Sequence, residues 1–198
     1  MKSNRHGQSR VLSTDELDLL ISKLPEQHHQ IVAEICRRTG CRIGEATQLT
    51  WGMVSESAVT FQRGITKGKL ASRSVPVTPQ LCEVLRSWRA AWVLRQGREP
   101  VDGDYLVPGR FAGSCLSTRS FMDALERAAA ESGLEGVSSH SFRRAALTKR
   151  AQCWRAVEGP YGAVWAQIHV SPAAVSRSDA CSTGGCRCCL CLTLEYLG

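Results

Sequence analysis

The sequence lacks the features of a membrane, secreted or nucleotide-binding protein. No apolar run approaches the roughly 20 residues that a helix needs to cross a bilayer. The opening MKSNRHGQSR has no apolar stretch of the kind found in signal peptides. A glycine-rich nucleotide loop and an internal repeat are also missing. We therefore expect no membrane or nucleotide partner and a cytoplasmic, nucleoid-associated location.

A disulfide framework is also missing, although the chain contains 10 cysteines. Five of them are scattered among apolar, helical patterns and are expected to be ordinary thiols in or near the core: Cys36, Cys41, Cys82, Cys115 and Cys153. The other five crowd together near the end: Cys181, Cys186, Cys188, Cys189 and Cys191. Five thiolates are enough for a tetrahedral zinc site, but they are not arranged as two separate C-x-x-C pairs. Free thiols are the alternative, and we predict no metal.

The composition indicates a globular protein with an excess of positive charge. A chain of 198 residues with 43% hydrophobic content buries one sizeable core, so a single domain is expected. The chain has 25 Lys and Arg against 18 Asp and Glu, a formal charge of +7. This excess favours a polyanionic partner, although a basic protein without such a partner has the same composition.

Local patterns predict a mainly helical fold with a small antiparallel sheet. Ser13 and Glu16 form a capping box, and Gly40 ends a second apolar stripe. Helical periodicity extends over residues 13–24, 26–38, 78–94, 117–131 and 138–150. Residues 57–63 and 73–77 alternate as in strands and flank a lysine-rich turn, which predicts a β-hairpin. We expect His28 and His29 to be exposed at the start of the second helix.

Two basic stretches could together bind a phosphate. Arg42 follows a helix end, and Arg143 lies near a helix start that Ser138 or Ser139 would cap. A guanidinium donates two hydrogen bonds to two phosphate oxygens and stays charged at every relevant pH. His140 precedes Arg143 by three residues and so shares its helical face. A phosphate clamp and a proton carrier are thereby adjacent, although exposed helices often carry the same pair.

Three motifs resemble those of the tyrosine recombinases, the phage integrase family. TGCRIGEATQLTW, residues 39–51, resembles the family's first arginine box, and HSFRRAALT, residues 140–148, resembles its His-x-x-Arg box. ITKGKLASRSVPV, residues 65–77, resembles the hairpin that presents the family's lysine. The resemblance covers residues 11–150 and implies the DNA breaking-rejoining fold of integrase catalytic domains. It further implies cleavage and rejoining of double-stranded DNA through a 3′-phosphotyrosine, without a metal or nucleotide cofactor.

The resemblance also implies a role for each matching residue. Arg42 and Arg143 would clamp the scissile phosphate, and His140 would assist proton transfer. Lys67 would protonate the leaving 5′ oxygen, although Lys69 is an alternative for the lysine at the hairpin tip.

Other matching residues are implied to support this site or to contact DNA. Glu45 matches an acidic residue that braces the family's site. Candidates for contact with the DNA backbone are Arg73, Arg144 and Lys149, and a homo-oligomer on DNA is possible.

The end of the chain departs from the family pattern. The nucleophilic tyrosine would be expected within residues 171–176, where there is none. Tyr161 comes too early and Tyr196 too late, which leaves Tyr196 as the best candidate for the catalytic nucleophile. A catalytically inactive DNA-binding remnant is therefore the rival interpretation, and a zinc-dependent module a more distant one.

These features predict three regions. Residues 1–10 are expected to form a flexible basic arm, and residues 11–152 a short, single-domain type of integrase catalytic domain. Residues 153–198 have weak periodicity and six of the 10 cysteines. That last region is expected to be a divergent tail, of the kind that a frameshift would produce.

Overall fold

The computed structural model describes residues 9–66, 68 and 71–157, with side chains up to Gln152. The chain divides into two compact units, Met1–Leu147 and Thr148–Gly198. Apart from the end of the last helix, the features below belong to the first unit. The described part of the second unit is the C-terminal portion of a long helix.

The first two helices form where local capping signals predict them. Helix α1, Thr14–Ser22, begins after Ser13, whose hydroxyl accepts a hydrogen bond from the Glu16 N–H, while the Glu16 carboxylate accepts one from the Ser13 N–H. Helix α2, Gln27–Thr39, ends at Gly40 with a left-handed φ of 68°. A residue with a Cβ is strained in that conformation, so the glycine fixes where the chain turns.

A short helical segment and a hairpin follow. Helix α3 comprises Ile43–Thr47, and a 3₁₀ turn comprises Trp51–Met53. Strands β1, Ala58–Phe61, and β2, Arg73–Pro76, pair antiparallel. The alternation of buried and exposed residues puts one face of this hairpin against the core, as β-branched strand sequences favour.

Three longer helices complete the described fold: α4, Pro79–Gln96, α5, Thr118–Glu131, and α6, Ser139–Val157. Thr78 and Ser117 cap α4 and α5 through their hydroxyl groups. The largest fully buried side chains include Phe61, Phe121, Phe142, Leu20, Ile35, Leu49, Leu81 and Leu106. The prediction of a mainly helical fold with a small antiparallel sheet is therefore confirmed.

None of the helices in the described ranges has the length and apolar character required to cross a membrane.

The start of the described chain is attached to the segment before α6. The Arg10 N–H donates to the carbonyl of Gly136 at 3.0 Å, and the Ser9 hydroxyl lies 2.6 Å from that of Ser138. The Ser9 carbonyl accepts a hydrogen bond from Arg144 at 2.6 Å. Ser9 and Arg10, the last two residues of the arm predicted for residues 1–10, thus contact the helical part of the fold.

The prediction that both histidines of α2 are exposed is wrong for His29. His29 is only 5% exposed, and its ring centroid lies 6.3 Å from that of Phe121, while His28 is half-buried. Helix α5 covers His29, and the Ser120 hydroxyl lies 3.4 Å from Nε2. Burial, followed by the charge of His28, lowers the pKa of His29 from 6.5 to about 4.

We expect the free energy of unfolding to fall as the pH drops from 6.5 towards 4. The unfolded state binds a proton in that window that folded His29 does not, so acid favours unfolding. Urea titrations at several pH values measure the effect, and His29→Gln should flatten it. An identical pH dependence in His29→Gln and the unmodified protein would contradict this expectation.

Candidate functional site

An open cavity of about 360 Å³ brings together side chains from three parts of the chain. It lies between the start of α3, the hairpin and the start of α6. Its lining residues are Arg42, Glu45, Thr66, Ala71, Ser72, Arg73 and Arg143. The arginine box and the His-x-x-Arg box are 101 residues apart between Arg42 and Arg143, yet both contribute to this one cavity.

Arg42 lines the cavity from the connection between α2 and α3. Its backbone N–H donates to Oε2 of Glu45 at 3.0 Å, and its Nη1 donates to Oε1 of the same carboxylate at 3.2 Å. The Arg42 side chain remains 45% exposed. Its remaining donors are therefore available to a ligand in the cavity.

Glu45 is the buried anchor of the site. Its side chain is 3% exposed, and Oε2 also accepts a hydrogen bond from Nη2 of Arg73 at 2.5 Å. Burial raises the pKa of Glu45, but the Arg42 N–H and the Arg73 guanidinium outweigh burial, so the pKa lies below its ordinary value. Glu45 is thus ionised at neutral pH and holds one arginine on each oxygen, as a bracing residue would.

Arg143 connects α6 to the loop that carries Arg42. Its Nη1 donates to the carbonyl of Gly40 at 2.6 Å, and the side chain is half-buried. The start of α6 is capped as predicted, because the Ser138 hydroxyl accepts a hydrogen bond from the His140 N–H at 3.2 Å. The backbone at Gly40 therefore fixes the position of one arginine relative to the other.

Arg73 belongs to this cavity, a location that sequence reasoning missed. It opens strand β2, pairs in register with Phe61, and places its guanidinium carbon 4.4 Å from the centroid of that ring. The sequence did contain a signal, because Arg73 shares its strand face with Val75, which is buried. A cation on a core-facing strand position needs a partner, and that partner is Glu45.

The other predicted residues lie outside this cavity lining or outside the described residues. His140 is exposed, and its Nδ1 lies 3.5 Å from the Ser139 hydroxyl. Arg144 is half-buried and donates to Ser9, while Lys149 is exposed on α6 in the second unit. Lys67, Lys69, Tyr161 and Tyr196 lie outside the described residues.

The cysteines of the first unit are free thiols. Cys36 and Cys41 are buried with their sulfur atoms 3.6 Å apart, and Cys82 and Cys115 are half-buried. Burial raises the pKa of the Cys36 thiol well above its ordinary value. The five cysteines of the predicted zinc alternative lie outside the described residues. Within residues 9–66, 68 and 71–157, no three His, Cys, Asp or Glu side chains cluster as a metal site would require.

The cavity has the charge and donors to bind a tetrahedral oxyanion. Three arginines against one glutamate leave a net charge of +2 among the described lining residues. Each guanidinium is planar and offers paired N–H groups that match two oxygens of a phosphate. The contacts to Glu45 and Gly40 hold these groups before a ligand arrives, which reduces the ordering cost of binding.

A family model described as the phage integrase family matches residues 10–152 of the chain. Several solved structures have the same fold. They include the XerH site-specific recombinase bound to difH substrate, with a TM-score of 0.58 and 21% identity. They also include the XerA recombinase, with a TM-score of 0.58 and 19% identity, and the lambda integrase catalytic core, with a TM-score of 0.54 and 17% identity. The fold expected from the resemblance is therefore confirmed.

The extent of these matches differs among the structures. The XerH match covers 73% of this chain and 44% of that one, and the XerA match covers 80% and 56%. This chain thus spans about half the length of those two recombinases. The match to the lambda integrase catalytic core covers 87% of this chain and 96% of that one. None of the curated proteins matches the chain.

Proposed function

Because the chain belongs to the phage integrase family, we propose that it binds double-stranded DNA and acts in site-specific strand cleavage and rejoining. The observation that carries this proposal is the cavity in which Arg42, just before α3, and Arg143, on α6, converge. The XerH structure, which has the same fold, is bound to its difH substrate. The net charge of +7 further favours a polyanionic partner.

In the proposed reaction a tyrosine phenol oxygen attacks a phosphodiester phosphorus. The new bond is a 3′-phosphotyrosine, and the bond that breaks is the one from phosphorus to the 5′ oxygen. The phenol gives up its proton to a base, and the leaving 5′ oxygen takes one from an acid. Arg42 and Arg143 stabilise the charge that develops on the equatorial oxygens, so no metal or nucleotide is needed. Attack by a 5′ hydroxyl on the phosphotyrosine reverses the step and joins the strands.

We assign the remaining roles by matching this chain to the family motifs. Lys67, which follows Thr66 of the cavity lining in the sequence, is the proposed acid for the 5′ oxygen. His140, three residues before Arg143 on α6, is the proposed proton carrier, and Tyr196 the proposed nucleophile. The exposed Lys149 is a proposed contact to the DNA backbone.

Arg144 and the chain organisation complete the proposal. Arg144 holds the Ser9 carbonyl, so we propose that it contacts DNA next to the chain's N-terminal residues. Residues 1–10 are the proposed basic arm, residues 11–152 the catalytic domain and residues 153–198 a divergent tail. A homo-oligomer on DNA is proposed as well.

A second candidate function is that of an inactive DNA-binding remnant. The observation that favours it is the absence of tyrosine from residues 171–176, where the family pattern has its nucleophile. The cavity lined by Arg42, Arg73 and Arg143, called the arginine cavity from here on, is equally able to hold a phosphate in that case. The two candidates share DNA binding and differ only in the covalent step.

We expect Arg42→Ala and Arg143→Ala each to weaken binding to a double-stranded oligonucleotide by about tenfold or more, because a charge-assisted hydrogen bond is lost. The dependence of log K on log salt should also become shallower by about 0.9 for each phosphate contact removed. Fluorescence anisotropy at several salt concentrations measures both quantities.

Arg86→Ala is the matched control for this experiment. Arg86 lies on α4, its side chain is 69% exposed, and it does not line the arginine cavity. Its removal should leave the affinity and the salt dependence nearly unchanged. If all three variants had the affinity and the salt dependence of the unmodified protein, the proposed phosphate site would be wrong.

A further inference from the structure

We infer that Arg73 is a third phosphate-binding arginine, contacting the same phosphate as Arg42 and Arg143. This inference rests on the proposed function and deepens it. A role limited to the flanking DNA backbone would not require Arg73 to line the arginine cavity, which it does.

The first support is the way in which Glu45 holds the two arginines. Oε1 accepts from the Arg42 guanidinium at 3.2 Å and Oε2 from the Arg73 guanidinium at 2.5 Å. The two arginine side chains are 45% and 37% exposed, while the carboxylate between them is 3% exposed. The same buried anion thus presents both guanidinium groups to the cavity.

The second support is that Arg73 is held on two sides. One Nη donates to Glu45, and the guanidinium carbon stacks 4.4 Å from the centroid of the Phe61 ring. A guanidinium has five N–H donors, so most of those of Arg73 are not used by the carboxylate. Stacking and pairing restrict its rotamers in advance, which lowers the ordering cost of a phosphate contact.

The third support is the charge of the cavity. A phosphodiester carries one negative charge, whereas the five-coordinate species formed by attack carries about two. Without Arg73, the described lining residues have two arginines and one glutamate, a net charge of +1. With Arg73 the net charge is +2, which matches the charge of the five-coordinate species better than it matches the charge of the phosphodiester substrate.

The alternative is that Arg73 only positions Glu45, and through it Arg42. A double-mutant cycle separates the two possibilities, because a residue that acts through Glu45 loses its effect once that carboxylate is gone. The variants are Arg73→Ala, Glu45→Gln and their combination, together with Arg73→Lys. Binding to a double-stranded oligonucleotide is measured over a range of salt concentrations, and thermal unfolding shows whether each variant is folded.

We expect Arg73→Ala to weaken binding by about tenfold and to make the salt dependence shallower by about 0.9. The same losses should follow when Arg73→Ala is added to Glu45→Gln. Arg73→Lys keeps the charge but not the planar fork, so it should retain the salt dependence and lose part of the affinity. If Glu45→Gln does not fold, comparing Arg73→Ala with Arg73→Lys still tests whether the charge of residue 73 contributes to the salt dependence.

Two results would overturn the inference. One is an unchanged salt dependence in Arg73→Ala, and the other is the disappearance of its effect in the Glu45→Gln background. Arg42→Ala and Arg143→Ala, measured alongside, distinguish the causes of failure. If they retain their losses while Arg73→Ala has none, only the third arginine is wrong; if they too have none, the proposed phosphate site fails.

Discussion

Replacing Phe142 by alanine is expected to lower the free energy of unfolding by about 3–5 kcal/mol. Phe142 is fully buried on α6, and its ring packs edge-to-face against that of Phe121 on α5, with centroids 6.4 Å apart. The substitution removes this aromatic contact and leaves a cavity that close-packed neighbours fill only in part. Because the free energy of unfolding of a domain is only about 5–15 kcal/mol, this loss is a large fraction of the total stability.

Urea denaturation of Phe142→Ala measures this loss, with Phe111→Ala as the matched control. Phe111 is 74% exposed, so its truncation should change the free energy of unfolding by less than about 0.5 kcal/mol. A loss below about 1 kcal/mol in Phe142→Ala would contradict the packing of α6 described above.

Phe142 also matters for the proposed site because it directly precedes Arg143. The buried ring fixes α6 against the core, and Arg143 then reaches the carbonyl of Gly40. Phe142→Ala should therefore weaken DNA binding even where most molecules are folded, although Phe142 touches no ligand. The core and the cavity are coupled by adjacent residues of one helix.

The features that the sequence predicted well are those set by nearby residues. The capping box of Ser13 and Glu16 and the left-handed Gly40 act over three or four positions, so the start of α1 and the end of α2 could be placed. The hairpin was likewise predictable from the alternation in β1 and β2. The convergence of Arg42 and Arg143 followed from family motifs, since periodicity alone relates no residues so far apart.

The features that sequence reasoning missed depend on contacts between distant residues. Glu45 and Arg73 are 28 positions apart, and only the packing of the hairpin beside α3 makes them a pair. His29 is polar and lies near a helix start, which usually indicates exposure, but α5 covers it. The pairing of Glu45 with Arg73 and the burial of His29 both depend on residues that are distant in the sequence.

The roles of Lys67 and Tyr196 remain predictions from the sequence. Lys67 is flanked along the chain by Thr66 and Gly68, and Thr66 lines the cavity, but the lysine itself lies outside the described residues. Tyr196 also lies outside them. The covalent step therefore has to be tested directly.

We expect a covalent adduct with DNA to form very slowly or not at all in this chain, and any adduct that forms to map to Tyr196. Attack requires the phenol oxygen within about 3–3.5 Å of phosphorus and in line with the leaving oxygen. The family pattern places its tyrosine 28 to 33 residues after Arg143, whereas Tyr196 follows by 53. The segment between Arg143 and Tyr196 is therefore longer than that of the family pattern. It must place the Tyr196 phenol at the phosphorus of the same subunit or of a neighbouring one.

Nicked suicide substrates, which trap the phosphotyrosine by releasing the 5′ strand, measure this step, and peptide mass spectrometry locates the modified residue. Tyr196→Phe should abolish the adduct completely, while Tyr161→Phe, the matched control, should leave it unchanged. Rapid and abundant adduct at Tyr196 would overturn the remnant interpretation. An adduct at Tyr161 would show that the nucleophile lies earlier than the spacing predicts. If no adduct forms while DNA binding still depends on Arg42 and Arg143, the chain is the inactive DNA-binding remnant, and its cavity binds phosphate without cleaving the strand.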